Sequence, residues 1–256
     1  MIDIKNLSLS INGRLIVHDI TATINDGEII GVIGKTGSGK TMFLKTIAGQ
    51  IPDHTGSISV GRVPQTSDQR VKSINVSYYS RAMPQNPDET LYNFLLLARI
   101  PYKKFFRPFT DYDRQVAEEY LSLLNLDSFR DEKLGTLPDG IFKRGMLAHT
   151  LIRESSAVLL DNPTNDLDIV SLKLLRRALM RYVMDGDRLV IMCSNDINFI
   201  AQTADTLLVM DNGRIAESGT ADILNADMIK TYFGIDAIIS RNVYNGKPEV
   251  HFFPDL

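Results

Sequence analysis

The chain has 256 residues, of which 44% are hydrophobic and 23% are charged, a balance that supplies the core of one large α/β domain. A formal net charge of −3 argues against a strongly basic surface for nucleic acid, and no apolar run reaches the ~18–20 residues that span a bilayer. The single cysteine, Cys193, excludes an intrachain disulfide and a cysteine metal cluster. The N-terminus shows no signal-peptide pattern, so we expect a cytoplasmic protein.

The N-terminal part of the chain predicts an antiparallel hairpin followed by a buried strand. Two apolar runs, Leu7–Ile11 and Ile16–Ile20, flank Asn12-Gly13, the dipeptide most typical of a tight hairpin turn. Asp26-Gly27 then turns the chain into Glu28–Ile33, a short apolar run typical of a buried strand.

The rest of the chain alternates between helical and strand patterns. Residues 91–153 are largely helical in pattern, and the runs Ala157–Leu160 and Leu189–Cys193 predict two more buried strands, separated by a helix near 169–184. Thr206–Ala216 predicts a final hairpin. Because strands that alternate with helices form parallel sheets, we expect an α/β fold with a helical insertion at about 88–153.

One motif in the chain predicts a phosphate-binding loop. It lies between the strand Glu28–Ile33 and the helix-prone residues 42–48, and it reads Gly34-Lys35-Thr36-Gly37-Ser38-Gly39-Lys40-Thr41. Its glycines let backbone N–H groups close around phosphate oxygens at a helix N-terminus. Lys40 would reach the β- and γ-phosphates, and the Thr41 hydroxyl would bind Mg²⁺. The alternative is a glycine-rich turn that binds nothing, which the flanking strand and helix disfavour.

A carboxylate further along the chain completes the expected metal site. Four apolar residues from Ala157 to Leu160 lead directly into Asp161, which would hold the Mg²⁺ shell at the end of a strand. Such a run alone is common, but it follows the phosphate loop at a suitable distance. It is also followed by Pro163-Thr164-Asn165-Asp166-Leu167-Asp168. We therefore expect Mg²⁺ and ATP as cofactors.

Together these motifs resemble those of the ATP-binding-cassette (ABC) ATPases. Residues 160–168 match the extended Walker B motif and D-loop, and Leu137–Ile141 lies where the signature motif belongs. The stretches Thr90–Tyr102, Asn165–Ile169 and Ala204–Thr220 are similar to the ATPase subunits of iron–siderophore, haem and cobalamin importers. The resemblance covers about residues 2–240.

The resemblance implies a fold and an assembly. The fold would be a P-loop NTPase (RecA-like) core with an antiparallel β subdomain, at residues 1–87 and 154–240, and an inserted helical subdomain at about 88–153, followed by a tail at 241–256. Such ATPases work as dimers that hold two ATP molecules between one subunit's phosphate loop and the other's signature. They dock on integral-membrane permease subunits at the inner face of the cell membrane, which implies the same location for this chain.

Four positions depart from the family pattern. Asn162 stands where the family has the glutamate that polarises the attacking water, and Asn195 stands where it has the histidine that contacts the γ-phosphate. Ile11 occupies the position of the aromatic that stacks on adenine. The Q-loop glutamine position falls at Arg81 by spacing, and Gln85 is the alternative if the strand before it runs long.

The signature motif departs too. Pro138 has no N–H and no hydroxyl to offer a facing γ-phosphate, and Asp139 places a carboxylate near that polyanion. At ~6 Å and an effective dielectric of ~20, one pair of unit charges costs about 3 kcal/mol. These departures beside an intact phosphate loop predict that ATP binding is retained while hydrolysis is lost or depends on a partner.

Three functions remain open at this point. The chain would be an importer ATPase subunit with impaired sites, which favours a heterodimer with an intact second ATPase over a homodimer. It would otherwise be an ATP-binding regulator that does not transport, or a competent ATPase in which Asp166, Asp168 or Arg81 replaces a missing group. The basic and aromatic run Tyr102–Phe109 favours contact with a membrane subunit over nucleic acid. The four histidines lack metal-ligand spacing, so we expect no metal beyond the Mg²⁺ of the nucleotide.

Overall fold

The computed structural model describes the chain except residues 62, 65–70, 72–73, 80–85, 104–105 and 253–256. The described residues form three sheets and seven α-helices. The strands are β1 Ile2–Ile11, β2 Arg14–Ile24, β3 Ile29–Ile33, β4 Thr55–Val60, β5 Val63–Pro64, β6 Val76–Tyr79, β7 Ala157–Asp161, β8 Leu189–Cys193, β9 Thr206–Asp211, β10 Arg214–Gly219, β11 Ala237–Arg241 and β12 Pro248–Phe252. The helices are α1 Lys40–Ile47, α2 Leu91–Leu97, α3 Asp111–Leu123, α4 Asp139–Leu151, α5 Ile169–Val183, α6 Ile197–Thr203 and α7 Ala226–Phe233.

A six-stranded sheet forms the centre of the molecule, in the order β10-β9-β3-β8-β7-β6. The pairs β9–β3, β3–β8, β8–β7 and β7–β6 are all parallel, and only the edge strand β10 is antiparallel to its neighbour. The predicted α/β fold is therefore confirmed. Parallel strands bring their carboxyl ends to one edge, so the segments that follow β3, β7 and β8 meet there.

A second sheet is antiparallel, with the order β2-β1-β4-β5. Its hairpin turns at Asn12 and Gly13, whose φ angles of 51° and 76° are both left-handed. Asn and Gly tolerate this region, and such turns match the twist of the flanking strands. The predicted N-terminal hairpin is confirmed.

Two apolar cores cover the two faces of the central sheet. Alternate residues of each buried strand point to opposite faces, so Ile30 and Val32 join one core while Ile29 and Ile33 join the other. The first core packs α1 and the antiparallel sheet on the parallel sheet through residues such as Phe43. The second core packs the remaining helices on the other face.

The segment from residue 91 to residue 151 contains the helices α2, α3 and α4. The predicted helix near 169–184 is also present, as α5. The helix α6 and the hairpin of β11 and β12 had no prediction. Asn198 and Gln202 of α6 donate hydrogen bonds to the carbonyls of Val250 and Pro248, which anchors that hairpin. Among the described residues, no helix is long and apolar enough to cross a bilayer.

A buried ionic network joins the helical segment to the central sheet. Arg99, which is 3% exposed, donates to Asp113 Oδ1 at 2.9 Å and to Glu154 Oε2 at 2.9 Å. Arg188, next to β8, donates to Glu154 Oε1 at 3.1 Å. Burial alone would raise the pKa of Asp113, but hydrogen bonds from Thr110 and Arg99 outweigh it and hold that pKa below its usual value. Arg99 therefore stabilises a carboxylate on each side of the contact between the helical segment and the sheet, Asp113 in α3 and Glu154 before β7.

We predict that Arg99→Met lowers the free energy of unfolding by about 3–5 kcal/mol, because it leaves the buried Asp113 carboxylate without its cation and leaves Glu154 with Arg188 alone. Lys133→Met is the matched control, since Lys133 pairs with Asp88 on the surface at 2.9 Å, and it should cost less than about 1 kcal/mol. Urea unfolding followed by circular dichroism measures both values. Equal losses in the two variants would contradict a structural role for the Arg99 network.

Candidate nucleotide site

The loop after β3 folds back into α1 through glycines that no other residue could replace. Gly34 has a φ of 151°, and a Cβ on it would lie 2.2 Å from the Met210 carbonyl oxygen. Gly39 has a φ of 101°, and a Cβ there would approach the Ile16 carbonyl oxygen to 3.0 Å. The loop is thus pressed between β9 on one side and β2 on the other. This contact fixes its backbone before any ligand enters.

Lys40 begins α1, and its buried side chain turns into the loop. Its ammonium donates to the Gly34 carbonyl at 2.6 Å and to the Lys35 carbonyl at 2.9 Å. Burial lowers the pKa of Lys40, and the nearby Cys193 and Asp161 oppose that shift. No carboxylate of the described residues forms a salt bridge with this ammonium. An anion in the loop would supply the opposite charge that it lacks.

Asp161 ends β7 next to the loop and receives four hydrogen bonds. Thr41 Oγ1 and Asn162 Nδ2 donate to Oδ1 at 3.1 and 3.0 Å, and the Tyr78 hydroxyl donates to Oδ2 at 3.1 Å. Cys193 Sγ lies 3.4 Å from Oδ1. Adjacent ligands of an octahedral Mg²⁺ with bonds of 2.0–2.1 Å lie about 3 Å apart. The Thr41 and Asp161 oxygens are therefore spaced as adjacent Mg²⁺ ligands would be, and their binding of Mg²⁺ stays a prediction.

Tyr78 and Cys193 are contacts of Asp161 that the sequence did not predict. Burial, followed by the Asp161 charge, raises the pKa of Tyr78 well above its ordinary value. The same two causes raise the pKa of Cys193. Both groups therefore stay protonated and able to donate. The sheet order β8-β7-β6 places both side chains beside Asp161. The amino-acid sequence does not reveal which strands are neighbours, so these two contacts could not be predicted from it.

A cleft of about 390 Å³ opens above the loop and gathers most of the predicted residues. The loop residues Thr36, Gly37, Gly39, Lys40 and Thr41 line it, together with Arg14, Ile16, Met42, Asn162 and Asn195. The other three residues of the loop, Gly34, Lys35 and Ser38, do not line the cleft. Ser38 is buried and Lys35 is exposed.

Of the remaining predicted positions that the structure describes, Ile11 and Asp161 are not among the residues that line this cleft. Ile11, the position matched to an adenine-stacking aromatic, is the last residue of β1 and is 36% exposed. Its antiparallel partner Arg14 lines the cleft instead. Arg81 and Gln85 lie outside the described residues, so the choice between them stays a prediction.

Asn162 occupies a backbone position that suits asparagine. Its φ is 50°, in the left-handed region that asparagine tolerates better than most residues. Its N–H donates to the Cys193 carbonyl at 2.8 Å, which fixes the backbone. The side-chain oxygen Oδ1 is buried and accepts no hydrogen bond from the described residues. Asn195 follows β8 and is exposed at the cleft. Both amides face the space beside Asp161 and Thr41.

The matched signature motif begins α4, with Pro138 just before the helix and Asp139 as its first residue. The Lys143 ammonium forms a salt bridge with Asp139 one turn away and lies 3.6 Å from Asp166 Oδ2. The repulsion energy that we estimated from the sequence, between Asp139 and a facing phosphate, did not include the charge of Lys143. Lys143 offsets part of that repulsion, and it also links α4 to the D-loop of the same chain.

Comparison with known families decides the assignment of the fold. The family model described as "ABC transporter" matches residues 17–165, more than half of the chain. This chain belongs to that family. The match begins in β2 and ends just past Asn162, so it includes the phosphate loop and Asp161. The resemblance predicted from the motifs is therefore confirmed.

Relatives and solved structures agree with this assignment. The iron(3+)-hydroxamate import ATP-binding protein FhuC of Bacillus subtilis is 24% identical, over 95% of this chain and 91% of its own length. The petrobactin import ATP-binding protein FpuC of Bacillus anthracis is 27% identical, over 99% and 93%. An inward-facing metal-chelate type ABC transporter aligns over 100% of this chain and 97% of its own, with a TM-score of 0.80 and 20% identity. That last likeness concerns the fold.

Proposed function

We propose that this chain is the ATP-binding subunit of an importer for metal chelates of the siderophore, haem or cobalamin type, with weak or absent hydrolysis of its own. The observation that carries the proposal is the buried Lys40 ammonium beside the Thr41–Asp161 pair, in a chain of the ABC transporter family. The names of the full-length relatives support the cargo class, since they are import ATP-binding proteins for iron chelates.

The residues of the cleft have separate roles in this proposal. Lys40 and the loop N–H groups hold the β- and γ-phosphates of ATP, and Thr41 and Asp161 hold Mg²⁺. The metal, when bound, neutralises phosphate charge. Tyr78 keeps the Asp161 carboxylate oriented through its 3.1 Å hydrogen bond. All of these roles rest on contacts made within the loop and at the end of β7.

The catalytic positions explain why hydrolysis is weak. Asn162 is at the position of the base, and an amide orients a water without taking its proton. A positioned base is worth roughly 10²–10⁴ in rate. Asn195 offers the γ-phosphate a neutral amide where the family has a histidine. We place Arg81 at the Q-loop position as the third altered group.

The proposed partners follow from how the altered residues would be distributed between the two ATP sites of a dimer. In a homodimer, each composite site combines Asn162 and Asn195 with a facing Pro138 and Asp139. Opposite an intact ATPase subunit, one site keeps a sound signature and the other keeps a sound base. We therefore favour a heterodimer docked on permease subunits at the cytoplasmic face of the membrane, with the helical subdomain at about 88–153 inserted in the core formed by 1–87 and 154–240. We infer no nucleic-acid partner.

The alternative is a regulator outside transport that binds ATP and exchanges partners without turnover. The two amides at Asn162 and Asn195 favour it as much as they favour an impaired transporter subunit. Co-purification with a permease separates the two functions, because only the transport subunit requires that partner.

We predict that Lys40→Ala weakens Mg·ATP binding by about 10- to 100-fold, because charge-assisted hydrogen bonds contribute roughly 1.5–3 kcal/mol. Lys35→Ala is the matched control, since it removes the same charge from the same loop. The Lys35 ammonium lies beside Gly234 at the end of α7, away from the loop interior. The affinity of Lys35→Ala for Mg·ATP should therefore differ from that of the wild type by less than about threefold. Isothermal titration calorimetry measures both, and unchanged affinity in Lys40→Ala would refute the site.

We predict that the isolated protein hydrolyses ATP near the background rate and that Asn162→Glu restores only part of the family rate. The new carboxylate supplies a base, but the left-handed backbone at 162 strains glutamate by about 1 kcal/mol, and Asn195 is unchanged. Asn162→Gln is the control, because it lengthens the side chain without adding a base. Phosphate release measures all three proteins. Wild-type turnover above about 1 s⁻¹ would show that the substitutions are not disabling.

We predict that the chain forms a tighter Mg·ATP-dependent dimer with an intact ATPase subunit than with itself. The mixed dimer contains one facing Asp139 and phosphate pair per complex, whereas the homodimer contains two. Co-expression with ATPases encoded next to this chain, followed by native mass spectrometry, measures the preference. A homodimer that supports transport through a permease without a second ATPase would exclude the heterodimer.

A further inference from the structure

The lining of the cleft contains a second cation besides Lys40, the side chain of Arg14. Arg14 and Ile16 are two residues apart in β2, so their side chains share one face of the strand, and both line the cleft. The Ile16 carbonyl lies against Gly39 of the loop. Arg14 therefore lies on the same side of the cleft as Ile16 but farther from the loop, because two residues of a strand span about 7 Å.

The guanidinium of Arg14 has no binding partner among the residues that the structure describes. It forms no hydrogen bond, ion pair or ring contact with any of the described residues, and the residue is exposed. Lys40, the other cation that lines the cleft, is buried and held by two loop carbonyls. A cation that is held by nothing and faces a cleft is available to a ligand.

The orientation of a nucleotide in the cleft decides what reaches Arg14. The phosphates belong at the loop, and their terminal end belongs beside Thr41, Asp161 and Asn162. The other end of the molecule must then leave the loop along the wall of Ile16 and Arg14. That end carries the ribose and the base, so the base, not the triphosphate, comes level with the guanidinium.

A planar guanidinium is suited to this position. None of the described residues that line the cleft is aromatic, so no aromatic ring there provides a face for the base. Arginine stacks its flat cationic face on aromatic rings, and lysine cannot. Ile11, whose Cβ lies on the same side of the sheet as that of its cross-strand partner Arg14, is not part of the lining.

We propose that Arg14 stacks on the purine base of the bound nucleotide and is the main base contact of this chain; this inference rests on the proposed ATP binding. A stacked guanidinium accepts either purine face. The site binds GTP with an affinity within about tenfold of that for ATP.

The test compares three ligands by calorimetry in the presence of Mg²⁺: ATP, GTP and inorganic tripolyphosphate. Arg14→Ala should weaken ATP and GTP by about 5- to 20-fold, because stacking on a base is worth roughly that much at an exposed site. It should leave tripolyphosphate within about twofold. Arg14→Lys, which keeps the charge and loses the plane, should behave like Arg14→Ala. Arg14→Tyr should restore most of the affinity, and Ile11→Ala should change little.

Other results would overturn the assignment. If Arg14→Ala weakens tripolyphosphate as much as ATP and Arg14→Lys restores both, Arg14 is a phosphate contact. If Arg14→Ala binds ATP normally, or if ATP exceeds GTP by more than about a hundredfold, another group reads the base. In each of these cases Lys40→Ala still weakens all three ligands, so the proposed function stands. Failure of the wild-type protein to bind any of them would remove the proposed function and the inference together.

Discussion

The parallel register of β3, β7 and β8 is the constraint on which the site depends. Asp161, at the end of β7, is opposite Cys193, at the end of β8, and β8 is also the neighbour of β3. The loop that leaves β3 therefore emerges within hydrogen-bond distance of Asp161, and Thr41 closes that distance to 3.1 Å. A slip of one residue in β7 would turn Asp161 to the other face of the sheet and separate the two groups.

In the proposed function, this geometry is kept although Asn162 and Asn195 stand at the positions of the family's catalytic residues. Asn162 keeps its backbone bond to Cys193 and lends its amide to Asp161, so it stabilises the carboxylate that would hold Mg²⁺. A glutamate at the same position would place a second negative charge beside Asp161. The exchange therefore removes a base and a repulsion together, which favours a resting site that holds its nucleotide. The orphan Oδ1 of Asn162 is the remaining cost, and a water bound there would satisfy it.

The sequence predicted features that depend on neighbours in the chain. The Asn12-Gly13 turn, the glycine loop and the apolar strands are local patterns, and each was confirmed or found in its expected place. Contacts between distant residues that do not belong to a known pair of motifs were not predictable. Tyr78 meets Asp161 across 83 residues, and Arg99 meets Glu154 across 55. The end of a hairpin was also difficult to predict, because the family pattern pointed to Ile11, whereas its cross-strand partner Arg14 lines the cleft.

Lys143 shows how one unforeseen contact changes an energetic argument. Asp139 and Asp166 would together present two negative charges to a nucleotide on a facing subunit, at about 3 kcal/mol each for a distance of ~6 Å. The Lys143 ammonium touches both carboxylates, so the trio carries a net charge of about −1. Lys143 does not replace the hydroxyl and the backbone N–H that Pro138 lacks, since it changes the charge near Asp139 and not the groups at position 138. Closure of a composite site on this signature is therefore limited more by missing donors than by charge. A defect of that kind is insensitive to salt, whereas a defect of charge repulsion weakens as salt rises.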